Sequence, residues 1–212
     1  MEYRINLEAI KEVAKSNGAG FITSSGLHEI VVKDIYIETT RNGATQAGIV
    51  YSLPTALDKQ SRLFMFLTTK DGKDTFSKPI FDSLLFLLNV KEVKFTKKTL
   101  EFKEPVEKDC IVGVSDKPII VWARQHFRKW NGEIRESFDV MDFFGSKTKA
   151  SAREAMTGSE AGKRYNSLTE TSKSVKYEGC TKEEVDKWLE ARISGRKPSA
   201  QPKVEEDDEL MF

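Results

Sequence analysis

Apolar and polar residues alternate most cleanly between Pro118 and Gly145, on either side of Asn131-Gly132. That pair is a strong hairpin signal, because both central positions of a two-residue turn require positive φ. The register then follows: Trp130 faces Glu133, Arg128 faces Arg135, His126 faces Ser137, Arg124 faces Asp139 and Trp122 faces Met141. Side chains alternate across a strand, so one face carries Val121, Ala123, Phe127, Ile134, Phe138 and Val140 and reads as core. The other carries Trp122, Arg124, His126, Arg128 and Trp130, with Arg135 across from them.

Elsewhere the pattern predicts an amphipathic helix over 2–16, ended by Gly18 and Gly20. His28 to Thr40 reads as the first strand. Ile30 and Val32 alternate in one phase and Ile35 and Ile37 in the other, which predicts a bulge near Lys33-Asp34. Arg41-Asn42-Gly43 makes a turn, Gln46 to Leu53 a second strand ended by Pro54, and Arg62 to Thr69 a third. After a turn at Asp71-Gly72, Ser77 can cap a helix running to about Leu88, apolar on most sides and therefore buried. Val90 to Phe102 is strand-like and lysine-rich, and Cys110 to Val114 is a short apolar run. Residues 146–178 hold few large apolar side chains and read as a basic, partly ordered excursion. Thr181 and Glu184 have capping-box spacing and open a last helix to about Ile193, with Trp188 on its packed face.

Three strands, a buried helix and a long hairpin make a mainly β, α+β chain. That order is compatible with a five-stranded OB-like Greek-key barrel followed by a helical or irregular C-terminal extension. Other α+β folds accept the same order. The expected organisation is a domain over 1–145, the excursion and helix over 146–194, a linker over 195–204 and an acidic segment over 205–212.

Composition changes this picture in two ways. Of 212 residues, 39% are hydrophobic and 32% charged, so part of the chain is expected outside the core. The net charge of +1 hides an asymmetry. Setting aside the five acids of 205–209 leaves 28 acidic against 34 basic residues, so the body carries +6. Two distant cysteines form no CxxC or Cys/His cluster, so structural zinc and a disulfide framework are not expected. With no long apolar run near the start, neither a secretory signal nor a membrane span is expected, which suits a cytoplasmic protein.

The hairpin face is the first candidate for chemistry. It alternates tryptophan with cations and sets Arg128 opposite Arg135, a costly pair unless an anion lies between them. A single-stranded nucleic acid suits such a face. Bases stack on aromatic rings at roughly 1–3 kcal/mol each, while phosphates meet guanidinium groups. The candidate site is therefore Trp122, Arg124, His126, Arg128, Lys129, Trp130 and Arg135, extended by Arg62, Phe64, Phe66, Tyr51 and Lys94, with at least two of Tyr51, Phe64 and Phe66 expected to be core instead. The competing reading is a solvated face whose arginines pair with Glu133 and Asp139 and whose tryptophans lie under a neighbouring loop.

The second candidate is the run Glu205, Glu206, Asp207, Asp208, Glu209, Leu210, Met211 and Phe212. This EEDDELMF segment resembles the C-terminal tip of bacterial and bacteriophage single-stranded-DNA-binding proteins, which also close an acidic run with phenylalanine. Bacterial members usually place proline where Met211 stands. The resemblance implies an OB-fold protein that binds single-stranded DNA with little sequence specificity during replication, recombination and repair. It also implies that the tail recruits partner proteins and occupies the DNA groove when DNA is absent. No P-loop, GxGxxG or GxSxG occurs, so neither enzyme activity nor a cofactor is expected. Three alternatives stay open: an RNA-binding OB module, a metal-dependent nuclease suggested by Asp82 with Glu92 and Lys94, and an adaptor protein with no nucleic-acid contact. Homo-oligomerisation stays open too.

Overall fold

The computed structural model describes residues 20–102, 104–169 and 171–193. The expected helix over 2–16, the linker and the acidic segment lie outside the described residues. The described chain forms two compact units. One comprises residues up to Gln125 together with Phe138–Ser174; the other comprises His126–Ser137 together with the residues from Val175 onward.

The first unit is organised around β1 (Gly26–Thr39), which pairs antiparallel with β2 (Thr45–Leu53) along one edge. The register shifts between Val32 and Asp34, at the expected bulge, which leaves Lys33 as the extra residue. Asp116 holds it: its backbone N–H donates to Val32 O at 2.7 Å and its carboxylate meets Lys33 Nζ at 2.7 Å. The bulge restores Ile30, Val32 and Ile35 to one buried face. It also divides the other edge of β1. Gly26–Val32 pair with β6 (Lys117–Trp130), and Tyr36 pairs with Cys110 of β5 (Pro105–Ile111).

β3 (Ala56–Phe66) pairs with β2, and β4 (Phe95–Glu101) with β5, giving the sheet order β3-β2-β1-β5-β4. β7 (Glu133–Gly145) pairs with β6, so the described sheet is mainly antiparallel and open. Helix α1 (Ser77–Leu87) sends Phe81, Leu84 and Leu85 into a core with Ile30, Ile49, Leu63, Val121 and Phe143. Ser77 is the first helical residue, not the cap. Thr75 Oγ1 instead accepts from Ser77 N at 3.2 Å, one of the early N–H groups with no acceptor inside the helix.

The third strand starts at Ala56, six residues earlier than its apolar pattern, and β5 starts at Pro105 among polar residues. Both are held by the backbone ladder, which needs no apolar side chain on a solvated stretch. Residues 146–169 carry more order than expected. Ser151 and Glu154 form a capping box that opens α2 (Ala152–Thr157), and α3 (Lys163–Ser167) follows. Leu168 packs with Ile120 and Phe144, and Trp122 and Tyr165 lie against that cluster.

In the second unit Asn131 and Gly132 have φ of 49° and 79°, as the two-residue turn requires. β8 (Lys176–Glu178) adds parallel to His126–Arg128. Thr181 and Glu184 cap each other and open α4 (Lys182–Ile193). Phe127 lies between Tyr177, stacked at 6.1 Å, and Trp188, edge-on at 6.1 Å.

Gly48 tests how tightly β1 and β2 are fitted. A Cβ there would stand 2.2 Å from the Tyr36 ring. Gly48→Ala is expected to reduce the unfolding free energy by about 1–3 kcal/mol through overpacking, measured by urea denaturation.

Candidate functional site

The hairpin residues do not share one open surface. In the first unit Trp122 is half-buried, with Nε1 donating to Ser172 O at 3.3 Å. Arg124 meets Asp139 at 3.2 Å, the partner that the two-residue turn sets opposite it. In the second unit His126 is 3% exposed, and its Nε2 lies 3.1 Å from Glu178. Arg128 pairs with Glu178 at 2.9 Å, Lys129 with Glu184 at 2.8 Å, and Arg135 lies 3.8 Å from Glu133. A hydrogen bond from Lys176, with Arg128 beside it, outweighs desolvation and holds the Glu178 carboxyl below the ordinary range. The facing arginines thus find carboxylates within the protein. Trp130 is 57% exposed, and Arg128 and Arg135 are exposed beside their carboxylates.

Tyr51 also lies outside any open surface. It is 2% exposed, and its hydroxyl accepts from Ile22 N at 3.0 Å. It is a core residue with no ring face for a ligand. Lys94 is exposed beside Glu92 at 2.9 Å. Asp82 pairs with Lys78, so the three residues of the nuclease alternative are engaged in local ion pairs. Among the described residues no three His, Cys, Asp or Glu side chains gather to hold a metal.

Arg62 and Phe64, by contrast, lie together on a face that is exposed among the described residues. Along β3, Leu63 and Met65 point into the core, so Arg62, Phe64 and Phe66 point out. Phe64 and Phe66 are 42% and 53% exposed, so of these and Tyr51 only Tyr51 is core, not the two expected. The Arg62 guanidinium lies 4.0 Å from the Phe102 ring centroid and 5.5 Å from that of Phe64. Among the described residues Arg62 has no ion-pair partner. Gln60, Ser61, Arg62, Glu101 and Phe102 line a cavity of about 280 Å³.

The same side of the sheet continues across Gly48 to Tyr36, whose ring lies 6.4 Å from Phe102. Burial raises the Tyr36 phenol above its usual value, against a hydrogen bond from Arg62. Glu38 takes Lys108 at 2.5 Å and Gln46 at 2.7 Å, and Asp34 takes Lys98 at 2.5 Å. Beyond Phe66, Arg41 in the β1–β2 turn and Lys70 and Lys73 in the turn after β3 are exposed, with Asp71 and Asp74 beside them. Gly43 approaches Lys70 O, which sets the two turns together.

Phe102 and Lys108 thus join Arg62, Phe64 and Phe66, which sequence reading had placed at the edge of the site, while Tyr36, 1% exposed, is buried beneath them. Phe66 follows from the step of two that links Arg62 and Phe64. Phe102 and Lys108 depend on which strands become neighbours. No protein-family model matches the chain, and no curated protein matches its sequence.

Burial alone would raise the Glu38 pKa, but hydrogen bonds from Lys108 and Gln46 outweigh it and hold it below its unfolded value near 4.5. A depressed carboxyl contributes stability above its unfolded pKa and loses it as pH falls through the folded value. Glu38→Gln is therefore expected to destabilise at pH 7, and the gap from wild type to shrink toward pH 3, measured by denaturant titration at both pH values.

Proposed function

We propose that this protein binds single-stranded nucleic acid, DNA by preference, without catalysis and with little sequence specificity. One observation carries the reading: among the described residues Arg62 has no carboxylate partner and lies against the rings of both Phe64 and Phe102 on the exposed face of β3. Exposed phenylalanines stack bases of any identity, and a guanidinium held by a phenol and aromatic rings rather than by a carboxylate meets phosphate. Arg41, Lys70 and Lys73 continue the charge beyond Phe66. Glu101 at the rim of the cavity suits a base amino group rather than a phosphate.

The connectivity supports an OB-like reading. β1, β2 and β3 form a meander, a helix follows, and the next long strand, β6, returns to pair with β1. The β4–β5 hairpin is then an insertion between helix and strand. In OB folds the β2–β3 face and the β1–β2 loop bind oligonucleotides, which matches Phe64, Phe66 and Arg41. Trp130, beside the turn of the second unit, is a separate stacking residue. By resemblance, the acidic segment Glu205–Phe212 recruits proteins of replication, recombination and repair in a bacterial or phage-infected cytoplasm.

Binding of labelled oligo(dT), followed by fluorescence anisotropy, tests the face. Phe64→Ala is expected to weaken binding roughly 5- to 100-fold, the loss of one stacked base. Arg62→Ala is expected to weaken binding and to reduce the slope of log affinity against log salt by about 1. Unchanged affinity in both variants, or tighter binding of duplex than of single strand, would refute the reading. Tighter binding of the matching RNA would reassign the polymer.

A further inference from the structure

We propose that residues 147–163 form a second phosphate-contacting surface, onto which a single strand bound at the β2–β3 face continues. The inference rests on the nucleic-acid reading and extends it. Among the described residues, cations without a carboxylate gather mainly in the turns beyond Phe66 and in the lobe after Gly145, with Lys91 among those apart from both. The hairpin cations Arg124, Arg128, Lys129 and Arg135 each have a carboxylate, and so do Lys97, Lys98 and Lys108 of the β4–β5 hairpin. Lys147, Lys149, Arg153 and Lys163 have none among the described residues. Lys147, Arg153 and Lys163 are exposed, and Lys149 is partly so.

These four are held together by a built scaffold. Glu154 accepts from Ser151 N and from Arg164 N, both at 2.8 Å, which draws the start of α3 onto the start of α2. Gly162 sits so close to Lys149 that an added Cβ would stand 3.3 Å from the lysine Cβ. The backbone just before Lys163 thus lies against Lys149, and Glu154, which also accepts from Gly162 N, ties this backbone together. Asp142 pairs with Arg164, and Glu154, held ionised by backbone N–H groups, makes no side-chain ion pair with these four cations. Glu160 is the remaining carboxylate of the loop.

Lys149 adds an independent sign. Its φ is 58°, a left-handed conformation that a glycine would adopt without penalty. Its ammonium lies over the Tyr165 ring at 5.4 Å. A strained backbone position that nonetheless carries a cation fits a side chain used for binding.

The lobe lies on the same side of the sheet as the stacking face. Ser146 hydrogen-bonds Glu29, and Leu27 and Trp122 pack beneath Leu168 and Tyr165. Glu29 precedes the bulge and Tyr36 follows it. The bulge reverses the alternation between them, so both point away from the main core. The lobe and the stacking face thus lie on one side of β1, on either side of the buried Tyr36 and Val50, and the phosphates of a longer strand spanning both supply anions to these cations.

Full-length protein carrying Lys147→Gln, Lys149→Gln, Arg153→Gln and Lys163→Gln together tests this against oligo(dT) of increasing length. Oligomers of about five nucleotides, short enough for the face alone, are expected to bind as they do to wild type. Oligomers of about twenty-five nucleotides are expected to bind at least tenfold more weakly, with a salt slope shallower by about 3 for four phosphate contacts. Lys149→Gly is expected to weaken long-strand binding while melting no lower than wild type, which separates a binding role from a structural one. Wild-type affinity and slope on the long oligomer, with short-oligomer binding intact, would overturn the lobe and leave the face standing. Wild type that binds neither length would overturn both.

Discussion

The bulge at Lys33 is the constraint on which the rest of the structure depends. Without an extra residue, a 14-residue strand would turn Ile35 and Ile37 to the side opposite Ile30 and Val32. With it, one strand lines the core over its whole length and twists more strongly at its middle. The two halves of its second edge then take different partners, β6 before the bulge and β5 after it. Asp116, itself in a left-handed turn, fastens the bulge through both its backbone and its side chain.

This arrangement decides which surfaces are free. Beside the first half of β1, the outer side of β6 is covered by the chain after Gly145, and Trp122 is covered with it. Beside the second half, among the described residues, Phe102 lies against Arg62, while Phe64 and Phe66 stay exposed. Cations near β1 and β5 are matched to acids across the sheet, as Lys108 is to Glu38. Arg62 is matched to rings instead. A guanidinium held over a ring keeps its charge available, whereas one bonded to a carboxylate has much of its field cancelled.

Much of the fold was legible in the residues because it is local chemistry. The change of phase between Val32 and Ile35 announced the bulge, Asn131-Gly132 the turn, and Thr181 with Glu184 the last cap. The starts of β3 and β5 were not legible, since a solvated ladder leaves no apolar trace. The hairpin misled for a related reason. Arg128 facing Arg135 looks uncompensated from the hairpin alone, but Glu178, which answers Arg128, arrives from fifty residues away. Tyr51 was ambiguous between stacking and core because an alternating strand shows its two faces without saying which is inside. Its bond with Ile22 settles that.

The most direct test of the account is the map of backbone amide chemical-shift changes when a short oligo(dT) is added to the labelled protein. The account requires the largest changes at Arg62, Phe64, Phe66 and Phe102, with the neighbouring core amides of β2 little moved. Changes confined to the hairpin around Trp130, or none anywhere at saturating oligomer, would contradict it.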